Sequence, residues 1–425
     1  MFLKTFAATL PPCGSAALLA IAVAGCDLSS LLDVTDPSRL LADNVETPEQ
    51  VPALINGVEA DFICGLGSYL LVTAVLSDEF ENNNASGDSW SLDRRRPLGT
   101  EIWNGSECTG VVGAYVPVSR ARWVADNAAR LLESWTDAEV ASRQARLARA
   151  QLLSGFSLYM LGAAHCSAAL DVGPELTSMQ LFKEAESRFS KTLEIAQAQA
   201  SLSAIAKAAR VGRARVRLYQ GNEEGALADA QAVPEGFVMN VFPSNATERM
   251  YNRIWQRNLF TFSFSVPPWS RKLMTGGVAD PRTATHDTGV NTGWSPGSVW
   301  AQEKYTSANS PIPIARWQEA QLIIAEIQGG QRAVDIINRL RDPWALSRFE
   351  STNESEIQDM IVQERRRELW LEGFRAYDIR RLTLPLVPAP GELFQEGITG
   401  GTYGEQTCIP LPTIESLNNE TIRGG

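Results

Sequence analysis

Three groups of residues in this sequence have types and spacings that could do chemistry. Asp78, Glu79 and Glu81 put three carboxyls within four positions. A glycoside hydrolase needs two carboxylates about 5 to 10 Å apart, one to protonate the leaving oxygen and one to attack or to activate water. The cluster is a candidate for that work, although neighbouring acids usually stand in solvent, and we expect no catalytic residue. The only histidines, His165 in a helical pattern and His286 in a loop, form no Ser-His-Asp arrangement. No phosphate-binding glycine motif and no CxxC pair occurs, so neither a metal nor a cofactor is expected.

The second group is aromatic. Trp90 and Trp103 fall in one Gly/Asn/Ser-rich stretch, residues 78–111, and Trp269, Trp294 and Trp300 in another, residues 237–314. Indole faces stack on the C–H face of a sugar ring at little entropic cost, and amides, carboxylates and guanidinium groups take the hydroxyls. Asn82, Asn83, Asn84, Asp88 and Arg94 stand beside the first pair. The expected ligand contacts are Trp90, Trp103, Asn83, Asp88, Arg94, Trp269, Trp294 and Trp300. By contrast, Trp123, Trp135, Trp317, Trp344 and Trp370 lie in helical patterns and read as packing.

The third group is Val23-Ala24-Gly25-Cys26, small residues before a cysteine, preceded by Lys4 and the apolar run Ala16–Val23. This is the pattern of a lipoprotein signal peptide over 1–25, with Cys26 as the lipidated N-terminus. The run is short of the ~20 residues a membrane span needs. No later stretch approaches that length without charges, so a soluble body tethered by lipid is expected. Cys13 leaves with the signal, and Cys64, Cys108, Cys166 and Cys408 remain. Four cysteines in an exported chain suggest two disulfides and allow three pairings. Cys64–Cys108 and Cys166–Cys408 are favoured, the second because it would tie the C-terminal segment to a helical layer; free buried thiols are the alternative. The net charge of −11, with arginines dispersed or paired instead of striped, excludes nucleic acid as partner.

Helical periodicity must position these groups. Thr47, Pro48 and Gln50 read as a capping box opening a helix whose buried face is Val51, Leu54, Ile55, Val58 and Phe62. Further amphipathic helices fit 112–134, 137–164, 178–199, 201–219 and 222–232. Residues 207–233 resemble a tetratricopeptide repeat across its turn, with Ala209, Gly212, Tyr219 and Ala226 at packing positions and Gly221 as the left-handed stop. Within 237–314, LFTFSFSV at 259–266 alternates apolar and polar and reads as a strand.

The run QERRRELWLEGFRAYDIRR at 363–381 is charged enough to be a solvated helix face, with Glu364, Glu368 and Glu372 spaced by four and interleaved with arginines. Its order, Glu-Arg, Glu-Leu, Glu-Gly-Phe-Arg, Tyr-Asp-Ile-Arg-Arg, resembles the C-terminal signature of the SusD/RagB family of nutrient-binding outer-membrane lipoproteins. Four further segments agree in order. They are residues 32–62 as entry segment, Asp280-Pro281-Arg282 as a turn, the helix pair carrying Arg316, Glu319, Leu322, Ala325 and Glu326 then Asn338 and Arg341, and the closing Ile409-Pro410-Leu411-Pro412 with Glu415. In the scaffold, Glu368, Glu372, Arg375, Asp378 and Arg381 read as ion pairs and caps.

The resemblance implies a mostly α fold: a tetratricopeptide-like helical-repeat scaffold with a loop-rich, irregular ligand-binding subdomain of minor β content. Residues 26–425 would be one unit, with scaffold at about 47–77, 112–236 and 315–382, loops at 78–111 and 237–314, and an irregular segment at 383–425. It also implies a cell-surface lipoprotein that takes an oligosaccharide or other nutrient and passes it to a SusC-like TonB-dependent transporter barrel in the outer membrane. A helical-repeat adaptor that binds proteins at that membrane is the competing expectation.

Overall fold

The computed structural model describes residues 46–101, 103, 108 and 113–423. The signal segment, Cys26 and the start of the entry segment lie outside the described residues. Helix α1, Val51–Leu76, is 26 residues long, and from Phe62 to Leu76 every residue is buried. A helix apolar all round belongs in a core or a membrane. By length and composition α1 could cross a bilayer, contrary to the expectation that nothing past the leader would, but 83% of its apolar window is buried inside the fold. The capping box does not form. Pro48–Gln50 makes a separate 3₁₀ turn, the Gln50 N–H bonds the Thr47 carbonyl, and the Thr47 hydroxyl caps nothing.

After the short α2 (Gly87–Asp93) come α3 (Tyr115–Ser134), α4 (Arg143–Ala164), α5 (Ser178–Gln197), α6 (Ser203–Tyr219) and α7 (Glu223–Gln231). From α3 onward each packs on the next, and α1 lies against α3 and α4. Small residues set the spacing of the layer. A Cβ on Gly212 of α6 would come within 2.5 Å of the Phe189 ring of α5, and one on Gly155 of α4 within 2.8 Å of the same ring. Gly221, at φ +77°, turns the chain between α6 and α7, and Asn222 caps α7 through the Gly225 N–H. The tetratricopeptide-like pairing is therefore present in this layer. A second group, α8 (Trp317–Gln328), α9 (Gly330–Arg341), α10 (Glu354–Glu368) and α11 (Arg375–Arg381), joins it where α8 packs on α6 and α7.

Strands are short and paired antiparallel: β1 (Glu81–Asn82) with β3 (Phe264–Ser265), β2 (Val238–Val241) with β6 (Ile312–Arg316), and β4 (Thr285–Asp287) with β5 (Trp300–Gln302). The expected strand at 259–266 reduces to β3. Residues Gln256–Phe260 instead form a π-helical turn, and Phe262 takes φ +53°. Asn258 explains the difference, because its side chain donates to the carbonyls of Phe264 and Trp300 and fills the place a longer ladder would occupy. Two disulfides staple the layers. Cys64 of α1 is bridged to Cys108, and Cys166, just past α4, to Cys408, with Cα–Cα distances of 5.6 and 5.0 Å. Beside the second, Ile409 exchanges backbone hydrogen bonds with Ala164 and Cys166.

Candidate functional site

The charged run at 363–381 is not a solvated face. Glu364 is 0% exposed, and α10 ends where Leu371 and Gly373 adopt left-handed φ, which turns the chain into α11. Arg282 grips Asp280 through two hydrogen bonds (2.9 and 2.7 Å) and reaches Glu364 (2.5 Å) and Glu368 (3.1 Å). Arg341 takes the other Glu364 oxygen, Arg316 bonds Glu368 and Glu372, and Lys304 bonds Glu372 at 2.6 Å. Arg365 and Arg381 share Asp378. These pairs lock the segments around 280 and 304 to the helices, so their role is architectural.

The acidic cluster is equally enclosed, which corrects the expectation of solvated carboxylates. Asp78 is held by Arg375 in a two-point pair (2.8 and 2.7 Å) with Arg366 behind it. Burial would raise its pKa, but these charges outweigh it and keep the carboxyl below the ordinary range. Glu79 accepts the Leu371 N–H, and burial pushes it up to about 7. Glu81 pairs with Arg271, and burial with the nearby charge of Asp93 raises it to about 8. None of the three is arranged as an acid opposite a nucleophile on an open cleft. His165 is buried against Tyr115, and His286 is exposed with Nδ1 3.0 Å from Glu303.

The exposed aromatic chemistry converges elsewhere. Trp90, on α2, and Trp294, on the loop before β5, bring their rings to 6.0 Å at 38°. Trp90 is fixed by its indole N–H on the Asn84 carbonyl (2.8 Å), while Trp294 is 41% exposed. Arg94 lies beside them, its guanidinium 5.9 Å from the Trp90 ring and 4.7 Å from Phe394, and bonded to Thr399. Asp88 is half-buried in the first turn of α2. Two rings meeting where Trp294 stays exposed, with an arginine alongside, can hold a ring through its C–H face and take its hydroxyls.

Other expected contacts do other work. Trp103 is 1% exposed and donates to the Asp88 carbonyl, so it is the core under α2 and not a ligand platform. Asn83 is buried too. Its Oδ1 accepts from Thr292 and Ser295 and its Nδ2 donates to Phe262, which makes it the peg for the Trp294 loop instead of a ligand contact. Trp269 is half-buried on a turn whose carbonyl takes Arg366. The Trp300 ring already carries the cations of Arg271 and Lys272 at 5.0 and 5.3 Å. Trp123 and Trp344, expected to pack, are exposed. Phe394 and Thr399 were not foreseen, since about 300 residues separate them from Arg94 and no local spacing announces the contact.

A cavity of about 490 Å³ lies apart from these rings, beside Arg282, Lys304, Arg316, Glu368 and Glu372 and under Phe237 and Trp344. Its three cations each already hold a carboxylate, so it is a face of the ion-pair network more than a charged receptor. Among the described residues no group of His, Cys, Asp or Glu is arranged to hold a metal.

At the end of the Trp90 helix, Asp93 accepts the Asn82 N–H (2.6 Å) and the Gln395 amide (3.2 Å), and burial raises its carboxyl to about 7. A raised carboxyl stabilises the fold below its unfolded pKa and loses that contribution as pH climbs through the folded value. Asp93→Asn should therefore flatten the fall in stability between pH 5 and 7 by on the order of 1 kcal/mol, read by thermal melts across that range. An unchanged slope would show that Asp93 is ionised throughout.

Residues 275–407 match the SusD family (SusD_RagB). No curated protein matches the sequence. Among solved structures, the chain is similar to a SusD superfamily protein from Bacteroides vulgatus at 12% identity and TM-score 0.65, covering 88% of this chain and 97% of that one. A SusD superfamily protein from Bacteroides thetaiotaomicron aligns at 15% identity and TM-score 0.64, covering 88% and 98%. A SusD-like carbohydrate binding protein from Bacteroides vulgatus aligns at 16% and TM-score 0.61, covering 82% and 86%. The SusD family's sequence pattern thus lies in the C-terminal part of the chain, over residues 275–407, and the fold across the described length is like that of these solved structures.

Proposed function

We propose that this protein binds a glycan at the Trp90–Trp294 face and delivers it to a SusC-like TonB-dependent outer-membrane transporter, anchored at the cell surface through lipid on Cys26. The observation that carries the reading is the meeting of those two indoles, drawn from segments far apart in the chain, at an open face where Trp294 is left uncovered. The match of residues 275–407 to the SusD family and the fold's likeness to a SusD-like carbohydrate binding protein support it. The work divides between parts: the helices, about 47–77, 112–236 and 315–382, dock on the barrel, and the loops face the ligand. Capture requires no catalytic residue.

Gentle solubilisation of native membranes, capture through a C-terminal tag and mass spectrometry test the partner. A TonB-dependent barrel in near-equal amount is expected. Recovery of soluble proteins with no barrel would sink the delivery reading and favour a protein-binding adaptor.

A further inference from the structure

The π-helical turn Gln256–Phe260 builds a second aromatic stack. Trp255 lies near-parallel to Phe260, 5.2 Å between centroids at 19°, and Tyr251 meets Trp255 edge-on at 6.0 Å. A turn with five-residue spacing places residues 255 and 260 over each other, which an α-helix would not do. Phe260 closes the stack and is 61% exposed, so it presents a flat face outward.

This stack is joined to the first platform. Phe260 and Phe262 are two residues apart, at most about 7 Å between Cα atoms. The Phe262 carbonyl is held by Asn83, the Ser263 carbonyl by Asn84, and the Asn84 carbonyl in turn holds the Trp90 indole. Between the platforms stand the Thr261 and Ser263 hydroxyls, 2.8 Å apart. Flat rings at both ends with neutral hydroxyl groups between them suit a chain of sugars, whose ring faces are apolar and whose edges carry hydroxyls.

We infer that Phe260, backed by Trp255, is a second sugar-stacking subsite, and that the protein takes an oligosaccharide long enough to span from Phe260 to the Trp90–Trp294 pair. The inference rests on the glycan-binding reading above. It makes the length of the ligand chain, and not only its terminal unit, a determinant of affinity.

The test is calorimetry with linear glucan, xylan, mannan and galactan oligosaccharides, each from disaccharide to octasaccharide. On the backbone that binds, wild-type affinity should rise with length. Phe260→Ala should weaken the octasaccharide about tenfold and leave the disaccharide within about twofold. Phe260→Tyr, which keeps the flat face, should retain the length dependence. Should alanine disturb the turn, Phe260→Leu covers Trp255 without offering a flat face and is expected to behave as alanine does. Equal affinity at all lengths, or an equal change for short and long ligands, overturns the second subsite while the first platform stands. If wild type binds none of the ladders, the glycan reading fails and this inference with it.

Discussion

Replacing Trp90 and Trp294 together by alanine should weaken glycan binding by at least about a hundredfold, roughly 2.7 kcal/mol, in calorimetric titration. Each ring offers the other a stacking neighbour and the ligand a face, so either single change should cost more than half of this and the double change less than the sum of the two. The fold should survive. Trp294 is largely outside the core, and truncating Trp90 removes one indole bond to a carbonyl, worth about 1 kcal/mol. Trp123→Ala is the control, since that indole is 52% exposed on α3 and should be silent for the ligand. Unaltered affinity in the double variant would remove the platform from consideration.

The largest expected loss of stability comes from the buried charges. Arg282→Met leaves Asp280, Glu364 and Glu368 short of a cation they cannot replace with water, because all three are buried. Removing one partner from such a network costs about 3–5 kcal/mol, far more than the net worth of the pair itself. Urea unfolding should show the midpoint fall accordingly. Arg348→Met, which breaks the exposed pair with Asp342, provides the comparison and should cost under about 1 kcal/mol. If the two variants unfold alike, the network is hydrated and does not hold the 280 turn to the helices in the way its geometry indicates.

The helical layer was legible because its buried stripe recurs at helical spacing and its small residues fall where rings of neighbouring helices press in, as Phe189 does on Gly155 and Gly212. Beyond Phe62 that legibility ends. Helix α1 has no polar face there, so periodicity gives no signal, and only burial on every side distinguishes it from a span. The charged run was misread in part for a related reason: the residues that bury Glu364 come from 282 and 341, and a count of charges cannot show that they meet.

In the site, loop tryptophans could be picked out by their polar surroundings but not sorted. Trp90 and Trp103 share one stretch, yet one ring is half-buried against Trp294 and the other is 1% exposed in the core. Asn83 was noticed for the right neighbourhood and the wrong task, since its amide positions the Trp294 loop. Trp255 and Phe260 were missed because LFTFSFSV alternates as a strand would, while a spacing of five is neither strand nor ordinary helix.

Arg95, one residue past the arginine of the site, is almost wholly buried, and its guanidinium donates to the carbonyls of Val387, Pro388 and Gly404. Phe394 and Gln395, from the same late stretch, close the space under α2. The first loop of the face thus depends on acceptors that emerge from synthesis some three hundred residues later. Contacts of that separation are formed late, after their loop-closure entropy has been overcome. A fragment ending before residue 387 would keep nearly all its helices and still lack a finished ligand face, with a buried cation left without its acceptors.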